Sequence, residues 1–167
     1  MKIYLVHPGE SEFGKLTNEG IWQLKGVARR FLSEKIEADR IYVNGNSVSR
    51  QSGDVLSRSL SVPVVSDERF TEISERVVLG EFFEEDIENL DYVNLFVDEI
   101  VNKGKDVIII VGGGVHRAVM SRLTGMSLAE TRHFSLLSAG VSVLEYSRDD
   151  LRWKIKIVND RAHLMVP

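Results

Sequence analysis

The stretch Asp106-Val107-Ile108-Ile109-Ile110-Val111 constrains this chain more than any other. Its β-branched side chains are stiff at the first torsion and favour extended backbone. No polar residue alternates with them, so both faces of the strand must be buried. That places it in the middle of a parallel sheet covered on both sides. The run ends at Gly112-Gly113-Gly114, after which Val115 to Thr124 reads as a helix. A similar apolar run, Ile3 to Val6, opens the chain and stops at Pro8-Gly9. Further strands are predicted at Arg40 to Val43 and at Val62 to Val65, where Pro63 suits an edge position or a strand start. Helices are predicted between them. Asn18 to Glu34 carries Ile21, Leu24, Val27, Ala28, Phe31 and Leu32 on one face, with Thr17 as its cap. Val48 to Ser59 is the next. Glu84 to Asn102 buries a stripe of Leu90, Val93, Phe96, Val97, Ile100 and Val101. Two alternating segments, Val141 to Tyr146 and Trp153 to Val158, flank the charged turn Arg148-Asp149-Asp150 and predict an antiparallel hairpin. The alternation of strand and helix predicts an α/β fold: a three-layer α/β/α domain with a mostly parallel sheet, spanning residues 1–167 without repeat or linker.

Composition removes several function classes. The net charge is −4, and Lys and Arg form no cluster, which argues against nucleic acid as a partner. The absence of cysteine excludes a disulfide scaffold, a thiolate zinc site and a Cys nucleophile. No apolar run is long enough to span a bilayer, and the chain enters a strand at once instead of a signal peptide. A soluble cytoplasmic protein with no membrane attachment is expected. No His and carboxylate spacing marks a metal site, and no cofactor is predicted.

In α/β sheets ligands gather beyond the carboxyl ends of the strands, which directs attention to His7, Pro8 and the glycine run. Gly112, Gly113 and Gly114 can form a backbone nest for an anion at a helix N-terminus, or simply a tight turn. No Lys-Ser or Lys-Thr follows, so this is not a P-loop, and the spacing is not that of a dinucleotide site. Arg117 is expected to be exposed in the first turn of the following helix, and His116 and His133 to lie on helix surfaces. Trp22 and Trp153 are assigned to core or hairpin surface.

Several of these segments together carry a family resemblance. Tyr4-Leu5-Val6-His7-Pro8-Gly9-Glu10-Ser11 resembles the opening Leu-Val-Arg-His-Gly-Glu-Ser of the histidine phosphatase (phosphoglycerate mutase-like) superfamily. Leu16-Thr17-Asn18-Glu19-Gly20 with Gln23 is similar to its Leu-Thr-Glu-x-Gly-x-x-Gln. Asp67-Glu68-Arg69-Phe70-Thr71-Glu72 looks like Asp-x-Arg-Leu-x-Glu, and Ile110 to Arg117 resembles Val-Ser-His-Gly-Gly-Val-x-Arg. Asn159 to Leu164 is similar to the closing Asn-Asp-x-x-His-Leu, with His163 in a structural role. The resemblance implies a phosphoglycerate mutase-like fold and a chemistry in which a histidine is phosphorylated, Arg residues and a second His hold the phosphoryl group, and a carboxylic acid protonates the leaving oxygen. Fixed positive donors are needed there because a transferring phosphoryl group spreads negative charge over its oxygens.

Aligned without a gap, His7 falls on the motif Arg, Pro8 on the nucleophilic His and Gly112 on the second His. The segment Ile41 to Gly53 places Val48 on the second Arg, with Gln51 and Ser52 on the motif Gln-Thr. A two-residue insertion would instead place Arg50 there, although positions 48 and 50 face nearly opposite sides of a helix. Only Glu12 to Lys15 separate the first two motifs, so the phosphate-contacting loop of the family is expected to be absent. Glu72 alone falls on a catalytic-type residue, the general acid; its plainer reading is a surface carboxylate paired with Arg69 or Arg76.

The expectation is a pseudo-phosphatase, a domain that keeps the scaffold for binding, regulation or assembly. The alternative is a phosphatase with a rebuilt site acting on a small phosphate ester. There His7 would be nucleophile or base, Glu72 the acid, and Gly112, Gly113, Gly114 with Arg117 or Arg50 the phosphate ligands. A structural subunit with a filled pocket is the third reading. Expected partners are a phosphate-containing small molecule or a protein, and a homodimer is compatible with the third reading.

Overall fold

The computed structural model describes residues 1–81 and 84–165. In chain order the elements are β1 (Lys2–Val6), the two-residue strands β2 (Ser11–Glu12) and β3 (Lys15–Leu16), α1 (Asn18–Ser33), β4 (Ile41–Val43), α2 (Ser47–Leu60) and β5 (Val64–Ser66). A 3₁₀ turn (Glu75–Leu79) follows, then α3 (Glu84–Lys103), β6 (Val107–Ile110), α4 (Gly113–Thr124), α5 (Leu128–Thr131), β7 (Val141–Ser147), β8 (Arg152–Asp160) and a 3₁₀ turn (Ala162–Leu164).

The continuous β-branched run becomes β6, and it lies where its composition requires. The sheet order is β5-β4-β6-β1-β7-β8. β6 pairs in parallel with β4 on one side and β1 on the other. β7 pairs antiparallel with both β1 and β8, which gives the predicted C-terminal hairpin. β5 is the edge strand, and Pro63 precedes its first residue. Alternate residues of the central strands feed two cores. Tyr4, Val6, Ile108 and Ile110 pack with Leu24, Val27 and Phe31 of α1 and Leu56 of α2. Ile3, Leu5, Val107 and Ile109 pack on the other face with Val93, Phe96, Val97 and Ile100 of α3 and Val115, Val119 and Met120 of α4. This is the expected mostly parallel three-layer arrangement.

Three details differ from the sequence expectation. Residues 11–16, to which the sequence assigns no element, form a tight hairpin with Phe13 and Gly14 both at positive φ at its tip. Helix α4 starts at Gly113, two residues early, so the glycine run belongs to the helix start itself. The stretch 75–79, to which the sequence assigns no element, is a 3₁₀ turn capped by the Ser74 side chain.

Candidate functional site

The adjacent parallel strands β4, β6 and β1 deliver three loops side by side at their carboxyl ends: Asn44-Gly45-Asn46, Val111-Gly112 and His7-Pro8-Gly9. The last of these is pinned from several directions. The His7 N–H donates to the Gly140 carbonyl at 2.9 Å, the Gly9 N–H to Ser52 Oγ at 3.3 Å and the Glu10 N–H to Gln23 Oε1 at 3.0 Å. Gly20 of α1 lies against Glu10, since a side-chain carbon there would be 2.1 Å from the Glu10 carbonyl oxygen. Pro8 is buried at this junction. It has no ring nitrogen with a lone pair for phosphoryl transfer.

The segment after β5 crosses over the same end of the sheet. Arg69 anchors it by pairing with Asp67 and with Glu99 of α3, each at 2.7 Å, and its guanidinium lies over the Phe96 ring at 5.0 Å. The Arg69 bonds hold the Asp67 carboxyl below the usual carboxylate range. Phe70 inserts beside Phe96, ring centroids 4.1 Å apart. Beyond this anchor, Asn89 of α3 donates to the Glu72 carbonyl at 3.0 Å and accepts from the Thr71 hydroxyl at 2.7 Å. Asp86 accepts from the Ser74 N–H at 2.9 Å. Residues 71–75 are thereby strapped across the glycine run.

The strap and the glycines fit in register. The Glu72 carboxylate lies above Gly112, where an added side-chain carbon would be 3.6 Å from Oε2. At Gly113 such a carbon would be 1.9 Å from Glu75 Oε1, and at Gly114 it would be 1.8 Å from the Ile73 carbonyl oxygen. Gly114 is thus required for the protein's own backbone to close over the start of α4, and Gly113 leaves room for the Glu75 side chain. The carboxylate of Glu75 sits against that helix start, where the helix dipole favours negative charge. Glu72 Oε1 accepts from Asn44 Nδ2 at 3.2 Å and from Asn46 Nδ2 at 2.7 Å. These bonds correct the expectation that Glu72 pairs with Arg69 or Arg76, because Arg69 is already held by Asp67 and Glu99. Among the described residues, neither Glu72 nor Glu75 has an ion-pair partner.

The basic candidates are engaged elsewhere. Arg117, expected to be exposed, is only 7% accessible; it donates to the backbone carbonyls of Thr131 and, at 3.0 Å, of Phe134. Arg50 is exposed on α2, its guanidinium 3.5 Å from the Ser66 hydroxyl at the end of the edge strand β5. Val48 is half-buried in the first turn of α2. His116, expected on a helix surface, is 0% accessible and lies 3.1 Å from Ser142 Oγ. Burial, with further depression from His7 and Arg117, pushes its pKa down to about 3. His7 is half-buried at the end of β1. Burial lowers its pKa, against the opposing influence of the Pro8 carbonyl and of Glu75, so its imidazole is neutral at pH 7. His133 is exposed, in the turn that follows α5 and not on a helix, and His163 is buried in the C-terminal turn against Gly26 of α1.

Sequence reasoning therefore located the strand ends and the glycine turn. It missed Glu75, Asn44 and Asn46. The asparagines carried one signal, since two amide side chains directly after a strand of a parallel sheet stand at the ligand end of that sheet.

Comparisons with known proteins bear on this geometry. Residues 90–161, which include β6, the glycine turn and the C-terminal hairpin, match the family model of the histidine phosphatase superfamily (branch 1). Solved structures match over almost the whole chain. The fold is that of the histidine phosphatases. YhfR of Bacillus stearothermophilus superposes with a TM-score of 0.79 at 16% identity, covering 98% of each chain. Phosphoserine phosphatase of Entamoeba histolytica, in complex with 3-phosphoglyceric acid, gives 0.77 at 18% identity, again over 98% of each chain. A mycobacterial glucosyl-3-phosphoglycerate phosphatase gives 0.76 at 12% identity, over 95% of this chain and 98% of that one. No curated protein matches the chain. At these identities the histidine phosphatase fold is shared. The side chains at its strand ends are this chain's own.

Proposed function

We propose that this protein is a pseudo-phosphatase, a histidine phosphatase scaffold that has exchanged phosphoryl transfer for a binding, regulatory or assembly role. The observation that carries this reading is that Pro8 and Gly112 stand at the strand ends of the site and that the Glu75 carboxylate lies against the glycine turn at the start of α4. A phosphoryl group there meets negative charge, where stabilising its transfer requires fixed positive donors. The Arg117 guanidinium is held by the carbonyls of Thr131 and Phe134, and the exposed Arg50 guanidinium lies 3.5 Å from the Ser66 hydroxyl. Pro8 and Gly112, at the two positions where the motif resemblance calls for histidine, offer no nucleophile and no donor side chain. Glu72 as a general acid then has no leaving group to protonate.

The test is hydrolysis of p-nitrophenyl phosphate from acidic to neutral pH by the wild-type protein, His7→Ala and Glu72→Ala. The expected result is no turnover above buffer in any of the three. Turnover by the wild type that falls in both variants would replace this reading with a rebuilt phosphatase site in which His7 is nucleophile or base and Glu72 the acid.

A further inference from the structure

We infer that a second site lies at the opposite end of the sheet, a cleft that takes a small zwitterion with its ammonium against the floor and its carboxylate at the rim. The cleft opens between the loop that joins α1 to β4 and the amino ends of β1 and β6, with β7 and β8 as its far side. Its volume of about 800 Å³ falls in the range usual for small-molecule sites. Ile36, Val143 and Ile157 give it apolar wall. The floor carries Tyr4, which is only 6% accessible, its ring packed against Phe31 with centroids 5.4 Å apart. Its hydroxyl nevertheless keeps solvent-accessible surface and forms no hydrogen bond among the described residues. A tyrosine buried this far ordinarily gives its hydroxyl to a protein partner. Here the core fixes the ring, and the hydroxyl is left to the cleft.

The charges around that hydroxyl select the ligand. Burial first, then Asp106, Glu34 and Glu145, push the Tyr4 hydroxyl up to about 12, so it stays protonated, and the same carboxylates repel an anion from the floor. Most charges on the wall are spent on each other: Lys105 pairs with Asp39 at 2.7 Å, Glu34 with Arg30 at 2.8 Å and Lys156 with Glu145 at 3.6 Å. Among the described residues, Asp106, Glu37 and Lys35 have no ion-pair partner. Asp106 stands two residues before Ile108, the neighbour of Tyr4 in the parallel register. Its Oδ1 accepts from the Lys2 N–H at 2.7 Å, which leaves Oδ2 for a ligand. An ammonium has three donors and no acceptor, and it complements the Tyr4 oxygen and the Asp106 carboxylate together. Lys35, on the loop above, answers a carboxylate on the same molecule. Because both signs are unspent, a lone cation or a lone anion satisfies only part of the wall.

The experiment is an NMR titration of the isotope-labelled full chain, reading the backbone amides of Tyr4, Ile36 and Val143, with those of Gly112, Gly113 and Gly114 as a distant control. Probes are L-norleucine, 6-aminohexanoate, n-butylammonium and hexanoate. Proteins are wild type, Tyr4→Phe, which keeps the ring against Phe31, and Lys35→Met at an exposed loop position. The expected result is saturable shifts at the cleft amides with a zwitterion, L-norleucine or 6-aminohexanoate, the tighter of the two reporting how far apart the ligand's charges stand. Binding is expected to weaken about tenfold in Tyr4→Phe. Lys35→Met is expected to bring the zwitterion down to the affinity of n-butylammonium and to leave n-butylammonium itself unchanged, a split that a general loosening of the fold would not produce. No saturable shift with either zwitterion, undiminished binding to Tyr4→Phe, or wild-type binding of n-butylammonium or hexanoate as tight as that of the zwitterions overturns the inference. Because the cleft and the glycine turn lie at opposite ends of the sheet, each of these outcomes leaves the pseudo-phosphatase reading standing.

Discussion

The three consecutive glycines are chemically identical, yet their neighbours predict three different responses to alanine. At Gly112 the added carbon meets only the Glu72 carboxylate at 3.6 Å, an ordinary contact, so Gly112→Ala is expected to be near neutral. At Gly113 it displaces the Glu75 side chain, which is exposed and can swing away; the expected cost is below about 1 kcal/mol, offset in part by alanine's helix propensity. At Gly114 it strikes the Ile73 backbone, which cannot move without shifting the strap, and a loss of about 1–3 kcal/mol is expected. Urea denaturation of the three variants checks this order; equal effects would mean that the strap does not close as described. His116 makes a second prediction. Its folded pKa of about 3 lies below the ordinary value of 6.5, so the unfolded chain takes up the proton first. The stability that neutral His116 contributes is present above pH 6.5 and is lost as the pH falls toward 3, at up to about 1.4 kcal/mol per pH unit. Burial acts in the same direction on His7 and His163. His116→Gln, which keeps a polar group near Ser142, is expected to flatten the decline of stability with acid, measured by urea midpoints across that range.

At the scale of elements, the site depends on the strap 67–75, which is irregular up to Ser74 and enters the 3₁₀ turn at Glu75. Its position comes from Arg69 and Phe70 at one end and from Asn89 and Asp86 of α3 beyond them. Asn89→Ala removes both bonds to the strap, and because they are solvent-accessible the expected cost is about 1 kcal/mol. Amide exchange at Ser74 is expected to accelerate in the same variant; unchanged exchange would show that Asn89 does not hold the strap. The β2–β3 hairpin is a different case. Phe13 at its tip is fully exposed and adopts φ of 49°, a region more natural to asparagine. Phe13→Asn is accordingly expected to raise stability by a few tenths of a kcal/mol, read from the urea midpoint. A loss would reveal a contact made by the ring.

For the molecule as a whole, the architecture was legible because it rests on local rules. The unbroken Val107–Val111 run fixed the middle of the sheet, Pro63 pointed to an edge position or strand start, and the helical periodicities found α1 and α3. The 11–16 hairpin was missed because its tip is Phe-Gly, lacking the Asn-Gly or Asp-Gly signal that marks such turns. The burial of His116 and Arg117 was missed for a longer-range reason. Polar residues near a helix start read as exposed until distant partners are known, here Ser142, Thr131 and Phe134. The candidate site divides in the same way. Pro8, Val48 and Gly112 stood out against a motif, whereas Glu75 emerged only once the strap was seen to cross the glycine turn.

This carboxylate-lined turn is expected not to accept a phosphoryl group. Orthovanadate tests it most directly, because it takes up the five-coordinate geometry of phosphoryl transfer and sites built for that transition state bind it tightly. Calorimetric titration of the wild-type protein is predicted to show no saturable heat into the millimolar range. Stoichiometric binding lost on Glu72→Ala or His7→Ala would contradict the account and restore a working phosphoryl site to this fold.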